Sequence, residues 1–150
     1  MIEVGAAAPT FVGTSADGTT LDFASFRGRP VVLYFYPKAN TTGCTMEARG
    51  FAEHYAELQR AGYSVVGVSV DSVESQKRFS EKCALPFPLV ADLDKAISKQ
   101  YGVLGLLGIA RRVTFFIGVD GRVEEVVQGM LPGPHVARAA ERARAAPPSP

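Results

Sequence analysis

The chain reads as an α/β domain built on a mixed central sheet. Three observations predict it: near-continuous runs of apolar, β-branched residues, amphipathic helical segments between them, and turn signals that fold the flanking strands into hairpins. At the front, Phe11-Val12 and Thr20-Leu21 flank Ala16-Asp17-Gly18-Thr19, a hairpin signal. Pro30 to Tyr36 is apolar on both alternating faces, as suits a central strand covered by helices on both sides. Thr45 to Ala61 then sets Phe51, Tyr55, Leu58 and Ala61 at helical spacing, and Gly62 stops the helix. Tyr63 to Val70 is a second central strand, and Asp71-Ser72 caps a helix over Val73 to Cys83 that ends before Pro86. Asp92-Leu93-Asp94 starts another helix, running through Gln100. Arg112 to Gly118 is the third central strand. The Asp120-Gly121 turn folds it against Gly121 to Gln128, whose alternation marks an edge. A short closing helix follows from Val136, its Arg138, Arg142 and Arg144 read as a solvated face. One domain over residues 1–145 is expected, with a frayed, Pro-rich tail at 146–150.

Composition narrows the function classes. In 150 residues, 16 Lys and Arg are interleaved with 15 Asp and Glu for a net charge of +1, which argues against a nucleic-acid partner. No apolar run approaches the ~18–20 residues of a membrane helix, and Met1 to Gly5 lacks the character of a signal peptide. Two cysteines make no disulfide framework, and with His54 and His135 they are too few for a structural zinc site. A cytoplasmic domain is expected, in which a cysteine is chemical rather than structural.

That directs attention to the loop after Tyr36, since ligands of such sheets gather beyond the carboxyl ends of parallel strands. Pro37-Lys38-Ala39-Asn40-Thr41-Thr42-Gly43-Cys44-Thr45-Met46-Glu47 sets Cys44 where a helix begins. The first N–H groups of a helix lack internal partners and carry part of the macrodipole's positive end, which favours a thiolate. Gly43 permits close backbone approach, the Thr41 hydroxyl can face the sulfur or a bound oxygen, and Glu47, one turn on, can hold an arginine. Against this stands the plain alternative, a small buried cysteine.

Pro37-x-x-x-Thr41-x-x-Cys44 matches the peroxiredoxin signature, and Phe35-Tyr36-Pro37-Lys38 with Thr41-x-Gly43-Cys44-Thr45-x-Glu47 resembles its bacterioferritin-comigratory (PrxQ) subfamily. Gly5 to Phe11, Leu85 to Asp92 and Arg112-x-Thr114-Phe115 resemble that family in the same order. The resemblance implies a thioredoxin fold with an N-terminal β-hairpin extension. It also implies reduction of hydrogen peroxide and organic hydroperoxides without metal or other cofactor, with thioredoxin or a similar thiol as reductant, in a monomer. By the match, Cys44 is the peroxidatic residue and becomes a sulfenic acid. Thr41, the backbone N–H groups of Gly43 and Cys44, and Arg112 would bind the peroxide oxygens. Pro37 would shield the sulfur, and Glu47 would orient the arginine. Strand alternation sends Arg111 and Arg112 to opposite faces, and the Arg-x-Thr-Phe register favours Arg112.

The resolving group is left open. Many members carry a second cysteine five residues after the first, where this chain has Arg49; others place it about where Ser80 stands. Cys83, about one turn beyond Ser80, is either the resolving cysteine or core filling, with an external thiol as the other route. Two rival functions stay in view: thiol–disulfide exchange, which would want a cysteine at Glu47, and redox sensing without turnover. Gly102 to Gly108 is glycine-spaced but follows a helix, so it reads as an apolar loop entering the Arg112 strand.

Overall fold

The structure, a computed structural model, describes residues 1–146. Of the expected tail only Ala146 falls within it; residues 147–150 lie outside the described residues. Seven strands form one mixed sheet: β1 (Val12–Ser15), β2 (Thr20–Asp22), β3 (Val31–Phe35), β4 (Ser64–Ser69), β5 (Leu89–Ala91), β6 (Val113–Ile117) and β7 (Val123–Gln128). Their order is β2-β1-β5-β4-β3-β6-β7. The pairs β3–β4 and β4–β5 are parallel and the rest antiparallel. The helices are α1 (Thr42–Glu53), α2 (Tyr55–Arg60), α3 (Val73–Cys83), α4 (Ala96–Tyr101) and α5 (Pro132–Ala145), with a 3₁₀ turn at Phe23–Phe26.

Strand alternation splits the interior into two layers. Val31, Leu33 and Phe35 face one side with Val66, Val68, Phe115, Ile97 and Tyr101. Val32, Tyr34 and Tyr36 face the other, where Cys44, Ala48, Phe51, Leu58, Phe79, Phe116 and Ala139 complete the layer. Both sides are therefore apolar along β3, β4 and β6, which is why those runs are continuous rather than alternating. β7 is one of the two edge strands, with β2 at the other end, and keeps one wet face.

Several boundaries differ from expectation. The helix after the cysteine loop begins at Thr42 rather than Thr45, because Thr41 holds the extended backbone of an N-cap. It also breaks at His54, so the expected single helix to Ala61 is two. The fourth helix runs Ala96–Tyr101, while buried Asp92 accepts from the amides of Ile97 and Ser98 at 3.0 and 2.7 Å. The closing helix begins at Pro132 rather than Val136, since proline with its fixed φ starts a helix well. The strand β5 is the element absent from the sequence reading: three residues between prolines and a turn are too short for a periodic signal. Through β5 the front hairpin joins the main sheet, Thr14 opposite Ala91 and Ser15 opposite Val90.

Arg138 and Arg142 are not a solvated face. Arg138 Nε donates to Glu125 at 2.6 Å, while Arg142 bonds Glu125 at 2.9 Å and also Glu124. Its guanidinium lies 5.1 Å from the Phe116 ring centre. These contacts lay α5 against β7; only Arg144 keeps the expected exposure.

At Gly67, in the middle of β4, an added Cβ would lie 2.7 Å from Leu89 Cδ2 and 2.9 Å from the Tyr34 ring. Gly67→Ala should therefore destabilise the fold by about 1–3 kcal/mol through overpacking. Urea unfolding measures this, and an unchanged midpoint would mean that the Tyr34 layer can yield.

Candidate active site

Cys44 is the third residue of α1, where amides have no intrahelical acceptor; the first main-chain bond of the helix runs from Thr45 N to Thr41 O at 2.9 Å. Its side chain points inward and is 1% exposed. Above it, Arg112 enters from the residue before β6, also buried. Arg112 Nη2 lies 3.6 Å from Cys44 Sγ, Nη1 donates to Glu47 Oε1 at 2.6 Å, and Nε donates to the Met130 carbonyl at 2.8 Å. One planar guanidinium thus spans three acceptors in three directions, which a lysine ammonium on its single stem could not do. Arg111 turns away, as alternation requires, and donates to the Gly102 carbonyl at 2.8 Å.

Glu47 and Cys44 sit three residues apart on one helical face, so both reach the same guanidinium. Glu47 is fully buried, and its Oε2 has no hydrogen-bond partner. Gly43 makes room: a Cβ there would meet Arg112 Nη2 at 2.9 Å. Pro37 lies two residues past the end of β3 and is half-buried. Thr41 is exposed, and its hydroxyl donates to the Lys38 carbonyl at 2.8 Å, so its oxygen is left with lone pairs to accept. Cys83, the last residue of α3, is half-buried and packs against the same layer as Cys44; both thiols are free. Leu106 and Leu107 of the glycine-spaced loop stand wholly in solvent, outside both core layers.

Two residues that support the arginine escape sequence reasoning. His135, in the first turns of α5, is fully buried. Its Nε2 lies 2.9 Å from the Gly129 carbonyl, an acceptor, so Nε2 carries the proton and Nδ1 accepts from the Thr114 hydroxyl at 2.8 Å. This fixes Gly129, and the next carbonyl, that of Met130, receives Arg112 Nε. The one available signal was Thr114, a polar residue in an apolar strand two positions after Arg112 and so on the same face. His54 stands apart at the α1–α2 joint, 3.7 Å from Glu57.

The AhpC/TSA family profile matches residues 4–126. The chain belongs to that family. A putative peroxiredoxin bcp of Coxiella burnetii is 39% identical over 149 residues, covering 94% of this chain and 98% of that protein. Among solved structures, peroxidoxin BcpB of Mycobacterium tuberculosis superposes with a TM-score of 0.89 at 33% identity, covering 97% of this chain and 98% of the other. The bacterioferritin comigratory protein of Xanthomonas campestris, whose structure concerns alkyl peroxide reduction, gives 0.86 at 30% identity with 97% of both chains covered. The fold is therefore the thioredoxin fold of peroxiredoxins, and this peroxiredoxin is of the Bcp/PrxQ type.

The buried ionisable groups around Arg112 leave a pH signature. Burial pushes the Glu47 carboxyl up from 4.5 to about 7, against the opposing pull of Arg112, consistent with its unpartnered Oε2. Between those values the folded protein holds a proton that the unfolded chain lacks, so this group makes stability fall as pH rises. His135 acts oppositely: burial lowers its pKa from 6.5, so stability falls as pH drops below that value. Glu47→Gln removes the first contribution and leaves in place the His135 ring, whose Nδ1 lies 3.9 Å from Glu47 Oε2. Urea unfolding of parent and variant from about pH 5 to about pH 8 should show the parent losing stability relative to the variant as pH rises, then levelling above about 7. A difference that is flat or rises with pH contradicts the buried, proton-binding Glu47.

Proposed function

We propose that Cys44 is the residue through which this chain, a thiol-dependent peroxidase by family, reduces peroxide. The observation that carries the reading is the Arg112 guanidinium 3.6 Å from a buried sulfur in the first turn of a helix. The Cys44 thiolate attacks one peroxide oxygen, the S–O bond forms as the O–O bond breaks, and the leaving oxygen takes a proton from solvent to depart as water or alcohol. Sulfur is oxidised by two electrons to the sulfenic acid and the peroxide is reduced by two. Charge moves onto the leaving oxygen in the transition state, so donors fixed before reaction contribute most. Arg112 and the amides of Gly43 and Cys44 are those donors. Thr41, whose own hydrogen is committed to Lys38, accepts from the peroxide O–H and so orients the attacked bond.

Glu47 acts through Arg112 as a positioning residue, and Pro37 shields the sulfur from further oxidation. Cys83 is the resolving cysteine. Its place at the end of α3, in the layer that holds Cys44, supports this. A disulfide needs Cα atoms usually 4.4–6.8 Å apart, so the first turn of α1 must unwind before the sulfurs meet. Thioredoxin or a similar thiol then reduces the disulfide. Organic hydroperoxides are substrates beside hydrogen peroxide, and the Xanthomonas relative's alkyl peroxide reduction supports extending the range to them. No helix among the described residues is long and apolar enough to cross a membrane. We place the chain, as a separate proposal, in the cytoplasm as a monomer.

Three variants test the assignment. Cys44→Ser should abolish peroxide consumption, and residual turnover at the parent rate would overturn the role of Cys44. Arg112→Lys keeps the charge but loses the fork, and should slow Cys44 oxidation roughly 10²–10³-fold in stopped flow, the cost of a lost transition-state donor. Cys83→Ser should leave the first oxidation intact but stop turnover with thioredoxin. Full turnover would transfer resolution to an external thiol.

A further inference from the structure

We propose that Asp71 is a positioning residue for the Cys44 reaction: its carboxylate, just past the end of β4, holds the loop that delivers Thr41 and the first turn of α1. The proposal rests on the reading of Cys44 as the peroxidatic residue. The loop between β3 and α1 has few bonds of its own. The parallel ladder reaches Tyr36, whose amide donates to Val68, and Pro37 has no N–H to continue it. From there to Thr41 the chain turns through Asn40, a non-glycine residue at φ 65°, in the left-handed region. Besides the Thr41–Lys38 bond within the loop, it has a tether to the rest of the protein in Ala39 N, which donates to Asp71 Oδ2 at 2.8 Å. The same oxygen accepts from the fully buried Ser69 hydroxyl at 2.6 Å, and Oδ1 receives a longer bond from Ser75 at 3.4 Å.

No lysine, arginine or histidine pairs with Asp71 among the described residues, so its acceptor capacity is spent on backbone and hydroxyl donors. A carboxylate accepting from a buried amide is worth more than a neutral acceptor there. Placement gives the bond its function. Asp71 immediately precedes Ser72, the N-cap of α3, so one residue joins the start of the Cys83 helix to the loop before the Cys44 helix. Loosening it frees Ala39 and Asn40, and through them the Thr41 oxygen, without touching Arg112, Glu47 or the sulfur.

Oxidation of Cys44 by hydrogen peroxide, followed in stopped flow, and alkylation of the same thiol by iodoacetamide together separate positioning from damage. Alkylation needs an exposed thiolate but not the aligned peroxide. In a Cys83→Ser background, Asp71→Ala should lower the peroxide rate constant about tenfold or more while alkylation is unchanged or faster, since alignment is what is lost. Asp71→Asn, which keeps an acceptor for Ala39, should recover the peroxide rate to within about threefold of the parent. Should Asp71→Ala not fold, Ser69→Ala leaves the carboxylate and its bond to Ala39 but removes the second donor that fixes Oδ2, and should give a smaller loss of the same kind. A folded Asp71→Ala protein with the parent peroxide rate overturns the proposal, and so do parallel losses in both reactions that Asn does not restore. Undiminished peroxide consumption by Cys44→Ser would instead remove the reading beneath it, a separate failure visible in a separate variant.

Discussion

A guanidinium buried among the helices and the sheet is the constraint on which the rest of this structure depends. A charge taken out of water costs several kcal/mol unless its surroundings replace the lost solvent. Arg112 meets that cost with a carboxylate, a main-chain carbonyl and a sulfur, and each comes from a part of the chain that the fold must bring to the same place. Glu47 and Cys44 arrive together because α1 sets them one turn apart. Met130 arrives because β7 and α5 meet where His135 pins Gly129. Removing any support leaves another buried group unpaired, so the site's chemistry and its folding are not separable.

The same arrangement serves two opposed demands. In the proposed mechanism, attack on a peroxide needs the sulfur, Thr41 and Arg112 held still, since alignment supplies a large share of the rate. Resolution by Cys83, as proposed, needs the first turn of α1 to come apart. The structure meets both by keeping the arginine's supports in rigid elements, β6, α5 and the body of α1, while the segment from Pro37 to Thr41 hangs on few bonds. The sparsely tethered segment carries the Thr41 hydroxyl, and the regular elements carry the charge.

Much of this was legible in the sequence. The three apolar runs announced the central strands, and the loop between a strand and a helix announced Cys44. Alternation set Arg111 and Arg112 on opposite faces, the resemblance's Arg-x-Thr-Phe register favoured Arg112, and helical spacing paired Glu47 with the cysteine. The signals that worked were local and periodic. What stayed hidden depends on tertiary meeting points. β5 is three residues long and exists because β1 and β4 flank it. The Met130 carbonyl has no side-chain signature, and His135 acquires its role by packing beside Thr114. Arg138 and Arg142, charged residues on a surface helix, resembled a solvated face until β7 supplied Glu124 and Glu125.

The central claim is that Glu47 promotes the reaction only through the guanidinium it holds. A double-mutant cycle on the rate of Cys44 oxidation by peroxide tests it most directly, with Arg112→Lys, Glu47→Gln and the pair measured in stopped flow. If Glu47 works by orienting Arg112, the double variant should be no slower than Arg112→Lys alone. Losses that multiply fully would show the carboxylate acting on the sulfur or the peroxide independently, and would contradict the account.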